Sequence, residues 1–361
     1  MNDVAAAAGV AQSTVSRILN DAPVSIRVSP ETRARVRAIA EELGYRPHPI
    51  ARALRGAPTM LLGAIVRDVT DPFFALAIEA LSIEAKERGY SVVLGHARTT
   101  ADEALALTAV LEARHCDAII LLGDIQDERR LIDDLRRTHV RVVALWHGWA
   151  GRAGPFPTIG VDNRAGIREA LDHLVGRGHT RIAYVGAAFG DMRERLAAYR
   201  EYMTESVGAP PRGAVRLVPN SVAGGGAALD ELMRGSRAPT AIVAATDLLA
   251  IGVIHAAFER GIRVPDELSV VGFDDITLAS ATVPALTTVR NPVRAVVAAA
   301  VELAVGEASA PDVAAPPRVF QPKLVVRGST AAPPPRGDPR ARRPTSRGSR
   351  SAAPSTGSSG A

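Results

Sequence analysis

Gln12, Ser13, Thr14, Ser16, Arg17 and Asn20 crowd one short stretch near the amino terminus, "QSTVSRILN". Side chains of these types, placed on the first turns and outer face of a helix, are what meet base edges and phosphates; a merely solvated helix face would look similar. The neighbouring carboxylates Asp274 and Asp275 in "GFDD" raise a second possibility. They could form an acid/base pair, or one could bond a ligand while the other caps local structure; neighbours at a strand end usually point apart, which favours the second arrangement. Cys116, the single cysteine, can form no internal disulfide and anchor no metal cluster, and reads as a small buried hydrophobe at a strand entrance. "AGGGAA" at 223–228 lacks the Lys-Ser/Thr of a phosphate loop and reads as a flexible turn before a helix. The chain has no G-x-S-x-G elbow, no G-x-G-x-x-G and no metal-ligand spacing of His and Cys, so neither an enzyme nor a bound metal or cofactor is expected.

The elements that must carry these groups come in two textures. In "DVAAAAGVAQSTVSRILND", Val4, Ala5 and Ala8 share one helical face, Gly9 permits a tight turn, and Val10, Val15, Ile18 and Leu19 share the next face. That is a helix-turn-helix pattern, though any helical hairpin is spaced alike. A third helix begins at the N-cap Ser29 with Pro30 in its first turn, and Gly44 ends it. The proline-flanked basic segment "RPHPIARALRGAPT" is a linker with a turn or two of helix.

From Met60 onward, short apolar runs ("LLGAIV", "SVVLGHA", "DAIILL", "RVVAL", "RIAYVG", "VRLV", "AIVAA", "LSVVGFD") alternate with amphipathic helices such as "RAGIREALDHLVGRG". Alternation of this kind predicts parallel sheets covered on both faces. The strands are too many for one sheet with one switch point, so the expected fold is two doubly wound α/β lobes with a cleft between them, behind a small all-α unit. After about Thr330 the chain is Pro, Arg, Ser, Gly and Ala, the composition of a disordered tail.

Length and charge agree with several domains. The 361 residues are 47% apolar and 22% charged, with no apolar stretch approaching the roughly 18 residues of a membrane helix and no apolar core of a signal peptide at the start. A cytoplasmic protein with no membrane partner is therefore expected. The net charge of +5 is unevenly placed: the first 58 residues carry +3 and the segment from Ala331 another +5, leaving −3 for the middle. Only the two ends attract phosphate by net charge.

The motifs "DVAxxAGVxxxTVSRxLN", "VSxETRxxV", "ELGYRP", "IARxLR", "VDNxxG", "GHTRIAYVG", "RLAxY", "VPDELSVVGFDD", "LTTVRNP" and "LVVRGST", in that order, resemble the lac repressor family of bacterial transcription regulators from Met1 to about Thr330. The resemblance implies a headpiece at 1–46, a hinge helix and linker at 47–58, and a periplasmic sugar-binding-protein-like core at 59–330. Within that core the N-lobe is expected at about 59–160 and 288–316, and the C-lobe at about 161–287 and 317–330, with a disordered tail over 331–361. Gln12, Ser13 and Arg17 would read bases, since Gln and Arg can make paired contacts with adenine and guanine, while Thr14, Ser16 and Asn20 would hold phosphates. In the hinge, Ala51 would enter the minor groove, Leu54 would wedge the central step and kink the duplex, and Arg55 would add a basic contact.

Three departures from the family stand out. Ala11 replaces the usual Ser, which removes an N-cap worth about 1 kcal/mol. The loop "DAPVSIRVS" is a few residues longer than usual. The chain starts where the family has an apolar residue behind a capping Thr, so an encoded start a few codons upstream is expected.

In the core, the resemblance implies a small-molecule effector bound by Phe73, Phe74, Arg195, Asp247 and Asp274, with Phe189 and Asp191 in the segment that selects the ligand. Trp146 stands where relatives commonly carry an acid, and Asn220 where some carry a stacking ring, so Trp146 would supply stacking or be an ordinary core residue. Carboxylates with an Arg suit vicinal hydroxyls, and rings suit a sugar face. The implied function is an operator-binding regulator, a repressor released or loaded by a carbohydrate-like effector. A nucleobase or sugar phosphate is the alternative ligand, and a solute-binding receptor the alternative class. Two-fold operators imply a homodimer on palindromic double-stranded DNA, and a carboxyl end without leucine heptads implies no tetramer.

Overall fold

The computed structural model describes residues 1–19, 28–45, 58–98, 100–125, 129–138, 140–146, 155–235, 238–306 and 317–335. Asn20, the hinge residues Ala51, Leu54 and Arg55, and the tail from 336 lie outside them.

Three helices, α1 (Asn2–Ala8), α2 (Gln12–Leu19) and α3 (Pro30–Glu42), close a small core of Val4, Ala8, Val15, Ile18, Val36 and Ala40. Gly9 ends α1 in the left-handed conformation, φ 63°, which an L side chain adopts only with strain, and so swings the chain into α2. Ser29 caps α3 by accepting from Thr32 N at 3.2 Å. Ala11 has no side-chain oxygen to cap α2; its backbone carbonyl accepts from Thr14 N and Val15 N, at 2.8 and 3.1 Å.

The N-lobe sheet is wholly parallel. Its strands are β1 (Leu61–Val66), β2 (Ser91–His96), β3 (Ala118–Leu122), β4 (Arg141–Leu145), β5 (Thr158–Val161) and β11 (Arg318–Phe320), in spatial order β11-β5-β4-β3-β1-β2. Between them run α4 (Pro72–Glu87), α5 (Ala101–Ala113) and α6 (Arg129–Leu135). The C-lobe repeats the plan with α7 (Asn163–Gly176), β6 (Ile182–Gly186), α8 (Asp191–Ser206), β7 (Val215–Leu217), α9 (Val222–Met233), β8 (Ala241–Ala244), α10 (Asp247–Glu259), β9 (Ser269–Asp274) and β10 (Thr287–Arg290). After β10 the helix α11 (Val293–Val305) returns to pack on α4 and β4, and β12 (Lys323–Val325) adds an antiparallel edge beside β10. Strands such as β3, "AIILL", are buried throughout, as strands with helices on both faces must be.

The chain crosses between lobes after β5, after β10 and after β11, and this corrects the expected boundaries. Residues 288–290 pair with β9 in the C-lobe, and 318–320 pair with β5 in the N-lobe. Both strands are too short for periodicity to reveal which sheet they join. The C-lobe also runs past 330: Ala331 N donates to Ser269 Oγ at 3.0 Å and its carbonyl meets His179 Nε2 at 2.8 Å. The "AGGGAA" segment is no turn. Its glycines lie inside α9, where a Cβ on Gly225 would stand 2.2 Å from Leu249 O. Among the described residues, no helix is long and apolar enough to cross a membrane.

Candidate functional site

In a doubly wound sheet the strand order reverses at a switch point, and ligands gather beyond the carboxyl ends of the strands there. The N-lobe reverses at β1 and β3, which lead into Arg67 and Gly123; the C-lobe reverses at β6 and β8, which lead to Asp191 and Thr246. All four residues line one cleft, with Asp71, Phe73, Phe74, Trp146, Met192, Arg195 and Asp274.

Arg195 organises the C-lobe wall. It is 4% exposed; its Nε donates to Asn163 Oδ1 at 2.8 Å and Nη1 to Ala245 O at 2.5 Å, and the guanidinium lies 3.6 Å from the Phe273 ring centre. Asp274 sits beside it, with its Oδ1 3.4 Å from Nη1. Burial pushes the Asp274 carboxyl well above the usual carboxylate range, against the pull of Arg195. Asp191 is driven up to about 6 by the same desolvation. Asp275 turns away as the sequence suggested, taking Arg290 Nε at 2.7 Å and Arg327 Nη2 at 2.6 Å. Backbone φ values of 114° at Asp274 and 57° at Asp275 make that divergence possible.

The N-lobe wall is aromatic. Phe73 meets Phe74 edge-on at 5.3 Å between ring centres and Trp146 at 4.9 Å. Both phenylalanines are placed by the N-cap Asp71, whose Oδ1 accepts from Phe73 N at 3.0 Å, and by Pro72 in the first turn. Arg67 lies 4.8 Å from the ring centres of both Phe74 and Phe189, so its guanidinium stacks between the lobes.

Of the residues expected to contact an effector, Phe73, Phe74, Trp146, Asp191, Arg195 and Asp274 line the cleft, and three do not. Asp247 is fully buried behind the wall. Its Oδ2 accepts from Ile276 N at 2.8 Å, Oδ1 accepts from Thr288 Oγ1, and burial raises it to about 7. The cleft-facing residue is its neighbour Thr246, the N-cap of α10. Phe189 gives its ring to Arg67, and Asn220 is bonded to Asp71 and Thr246. Sequence reasoning missed Arg67, Asp71, Thr246 and Met192; only "TDPFF", a capping residue with Pro before aromatics, hinted at Asp71.

In the headpiece, Gln12, Ser13 and Arg17 are exposed on α2 and Thr14 is half-buried. Ser16 departs from expectation. At 4% exposure it faces inward beside Val15, not outward with Arg17.

Comparison with known proteins covers both parts. Residues 1–48 match the model of bacterial regulatory proteins, lacI family, and residues 171–330 that of a periplasmic binding protein-like domain. The HTH-type transcriptional regulator GalS of Salmonella typhimurium is 34% identical over 336 residues, covering 92% of this chain and 96% of GalS. An uncharacterized HTH-type transcriptional regulator from the aml 5' region of Streptomyces limosus is 37% identical over 348 residues, covering 91% and 93%. Among solved structures, the lac repressor dimer bound to operator and the anti-inducer ONPF is similar with a TM-score of 0.79 at 28% identity, over 91% of this chain and 98% of that one. A complex of the transcriptional regulator CelR with cellobiose is similar with a TM-score of 0.65 at 28% identity, over the same shares of the two chains.

Proposed function

The chain belongs to the lacI family of bacterial regulatory proteins, DNA-binding transcription regulators with an effector-binding core, and from that premise we propose that it is a cytoplasmic homodimeric repressor controlled by a neutral carbohydrate. The observation that carries the ligand class is the charge of the cleft. Asp71, Asp191 and Asp274 stand in its wall against two guanidiniums, and both guanidiniums are engaged, Arg195 by Asn163 and Ala245 and Arg67 by Asp71 and two rings. A sugar phosphate would meet three carboxyl groups with no uncommitted cation. A neutral polyol donates its hydroxyls to those oxygens and lays its apolar face on Phe73, Phe74 or Trp146. The cellobiose carried by CelR supports the same class.

On DNA, the exposed Gln12, Ser13 and Arg17 read bases in the major groove, with the half-buried Thr14 at the edge and the inward-facing Ser16 supporting the helix from below; Asn20 would hold a phosphate. The hinge residues Ala51, Leu54 and Arg55 work at the centre of a palindromic operator. Selection of bound sites from a random duplex library tests this, using both this chain and one extended upstream. Enrichment of a palindrome, and its release or tightening by a neutral sugar but not by that sugar's phosphate, is the expected result. Absence of enrichment with either chain would remove the operator reading, and a response to the phosphate alone would remove the carbohydrate one.

A further inference from the structure

Two helix caps face each other across the cleft. Asp71 caps α4 on the N-lobe, and Thr246 caps α10 on the C-lobe, accepting from Leu249 N at 3.3 Å. Asn220 stands between them. Its Nδ2 donates to Asp71 Oδ2 at 3.0 Å, and its Oδ1 accepts from Thr246 Oγ1 at 2.7 Å. A carboxylate only accepts, so the amide has one orientation that satisfies both partners.

We propose that Asn220 is the positioning residue that clasps the two lobes in the arrangement seen here. The clasp is mounted rigidly on the C-lobe. Asn220 lies directly before Ser221, the N-cap of α9, and Ser221 N donates to Pro219 O at 2.8 Å. The helix behind it cannot slide, because α9 and α10 meet backbone to backbone: a Cβ on Gly225 would stand 2.2 Å from Leu249 O, and one on Gly252 2.1 Å from Val222 O. On the N-lobe, the Asp71 carboxylate is held by Phe73 N and by Arg67, 3.6 Å away, whose guanidinium also stacks on Phe189 of the opposite lobe. Parting the lobes therefore breaks the Asn220–Asp71 bond and unstacks Arg67 together.

Asp71 and Thr246 both line the cleft, so a ligand that hydrogen-bonds either one acts directly on the clasp. Such a ligand has different contacts in the clasped and unclasped states, which is what coupling of occupancy to lobe arrangement requires. The clasp itself needs no ligand and stands whatever class of effector the cleft takes.

The test exchanges the two partners. Asn220→Asp sets a second carboxylate against Asp71 and should part the lobes. Combining it with Asp71→Asn restores an amide donor facing a carboxylate, keeps a competent cap on α4, and should bring them back. Spin labels on cysteines introduced at the exposed Glu103 in α5 and Arg200 in α8 report the separation in unliganded full-length protein diluted with unlabelled chain. Native Cys116 is buried with its thiol pushed up to about 11, so it takes no label. The expected result is a longer or broader distance distribution for Asn220→Asp and recovery in the exchanged pair. An unchanged distribution in Asn220→Asp overturns the proposal, as does a lengthening that the exchange fails to reverse. If the repelling pair prevents folding, Asn220→Leu, close in shape and without either bond, gives the same reading.

Discussion

Arg195 Nη1 lies 3.4 Å from Asp274 Oδ1, yet the same nitrogen donates to Ala245 O at 2.5 Å. The guanidinium is thus committed first to a backbone carbonyl and only second to the acid. Because the ion pair is long and both groups are almost fully buried, desolvation outweighs it and Asp274 is held toward its neutral form. A carboxyl raised in this way can donate to a ligand hydroxyl as well as accept from one.

Replacing Arg195 by Met should remove the effector response while leaving operator binding intact. Three acceptors, Asn163 Oδ1, Ala245 O and Asp274, would lose their donor in a buried wall. Because Asp274 can stay neutral, the loss of stability should fall near the lower end for a broken buried pair, about 3 kcal/mol by urea unfolding.

Asp247 should behave as a structural acid. In Asp247→Asn, the amide oxygen can take Ile276 N while its nitrogen faces the Thr288 hydroxyl, which rotates to accept; the change should cost less than about 1 kcal/mol, against about 3 for Asp247→Leu, which leaves buried donors unmet. A carboxyl raised to about 7 makes the folded state bind more protons than the unfolded one between the ordinary 3.8 and 7. Native stability from this group therefore declines as pH rises through that window, and Asp247→Asn should remove that decline from unfolding curves. Effector affinity should stay within a few-fold of native.

On operator DNA, Arg17→Ala and Gln12→Ala should each relax preference at one base position by about 1–3 kcal/mol. Thr14→Ala should weaken all sequences alike and lower the salt slope. Competition binding against singly substituted operators separates the two behaviours, and a uniform loss in Arg17→Ala would move that residue from bases to phosphates.

The legible parts of the chain were those with local causes. Buried strands such as "AIILL", the cap Ser29 before Pro30, and the turn glycine Gly9 all announce themselves within a few residues. What escaped depends on partners distant in sequence. β10 and β11 are too short to show which sheet takes them, Thr246 and Asp247 trade roles through the direction of one helix start, and Arg67 is fixed by rings from both lobes. The glycines of α9 escaped for the same reason: nothing near them in sequence shows that α10 will press against them. Gly252→Ala should thus destabilise the C-lobe by about 1–3 kcal/mol, since its Cβ meets backbone that cannot swing aside. A midpoint equal to native in denaturant would show that the two helices can separate without loss.

Acid should loosen the carboxyl-terminal edge of the C-lobe through two histidines. His173 Nδ1 faces Arg177 Nη1 at 3.0 Å, and a guanidinium only donates, so this nitrogen accepts and Nε2–H points to Thr330 Oγ1 at 2.9 Å. His179 likewise carries its proton on Nε2, facing the Ala331 carbonyl at 2.8 Å, while Nδ1 meets the Thr240 hydroxyl at 2.9 Å. Burial lowers both, and Arg177 adds to it, holding His173 near 4 against an ordinary 6.5. Below 6.5 the unfolded chain takes up protons that the folded one refuses, so this contribution is complete above 6.5 and is lost as pH falls toward 4. The sign is opposite to that of Asp247, so the two must be separated by variants. Urea midpoints measured from pH 8 to pH 5 should fall less steeply in His173→Gln than in native protein. Parallel curves would mean that His173 takes up its proton in the folded state without penalty, and that the segment through Ala331 is held by its other bonds, to Val270, Thr287, His179 and Ser269.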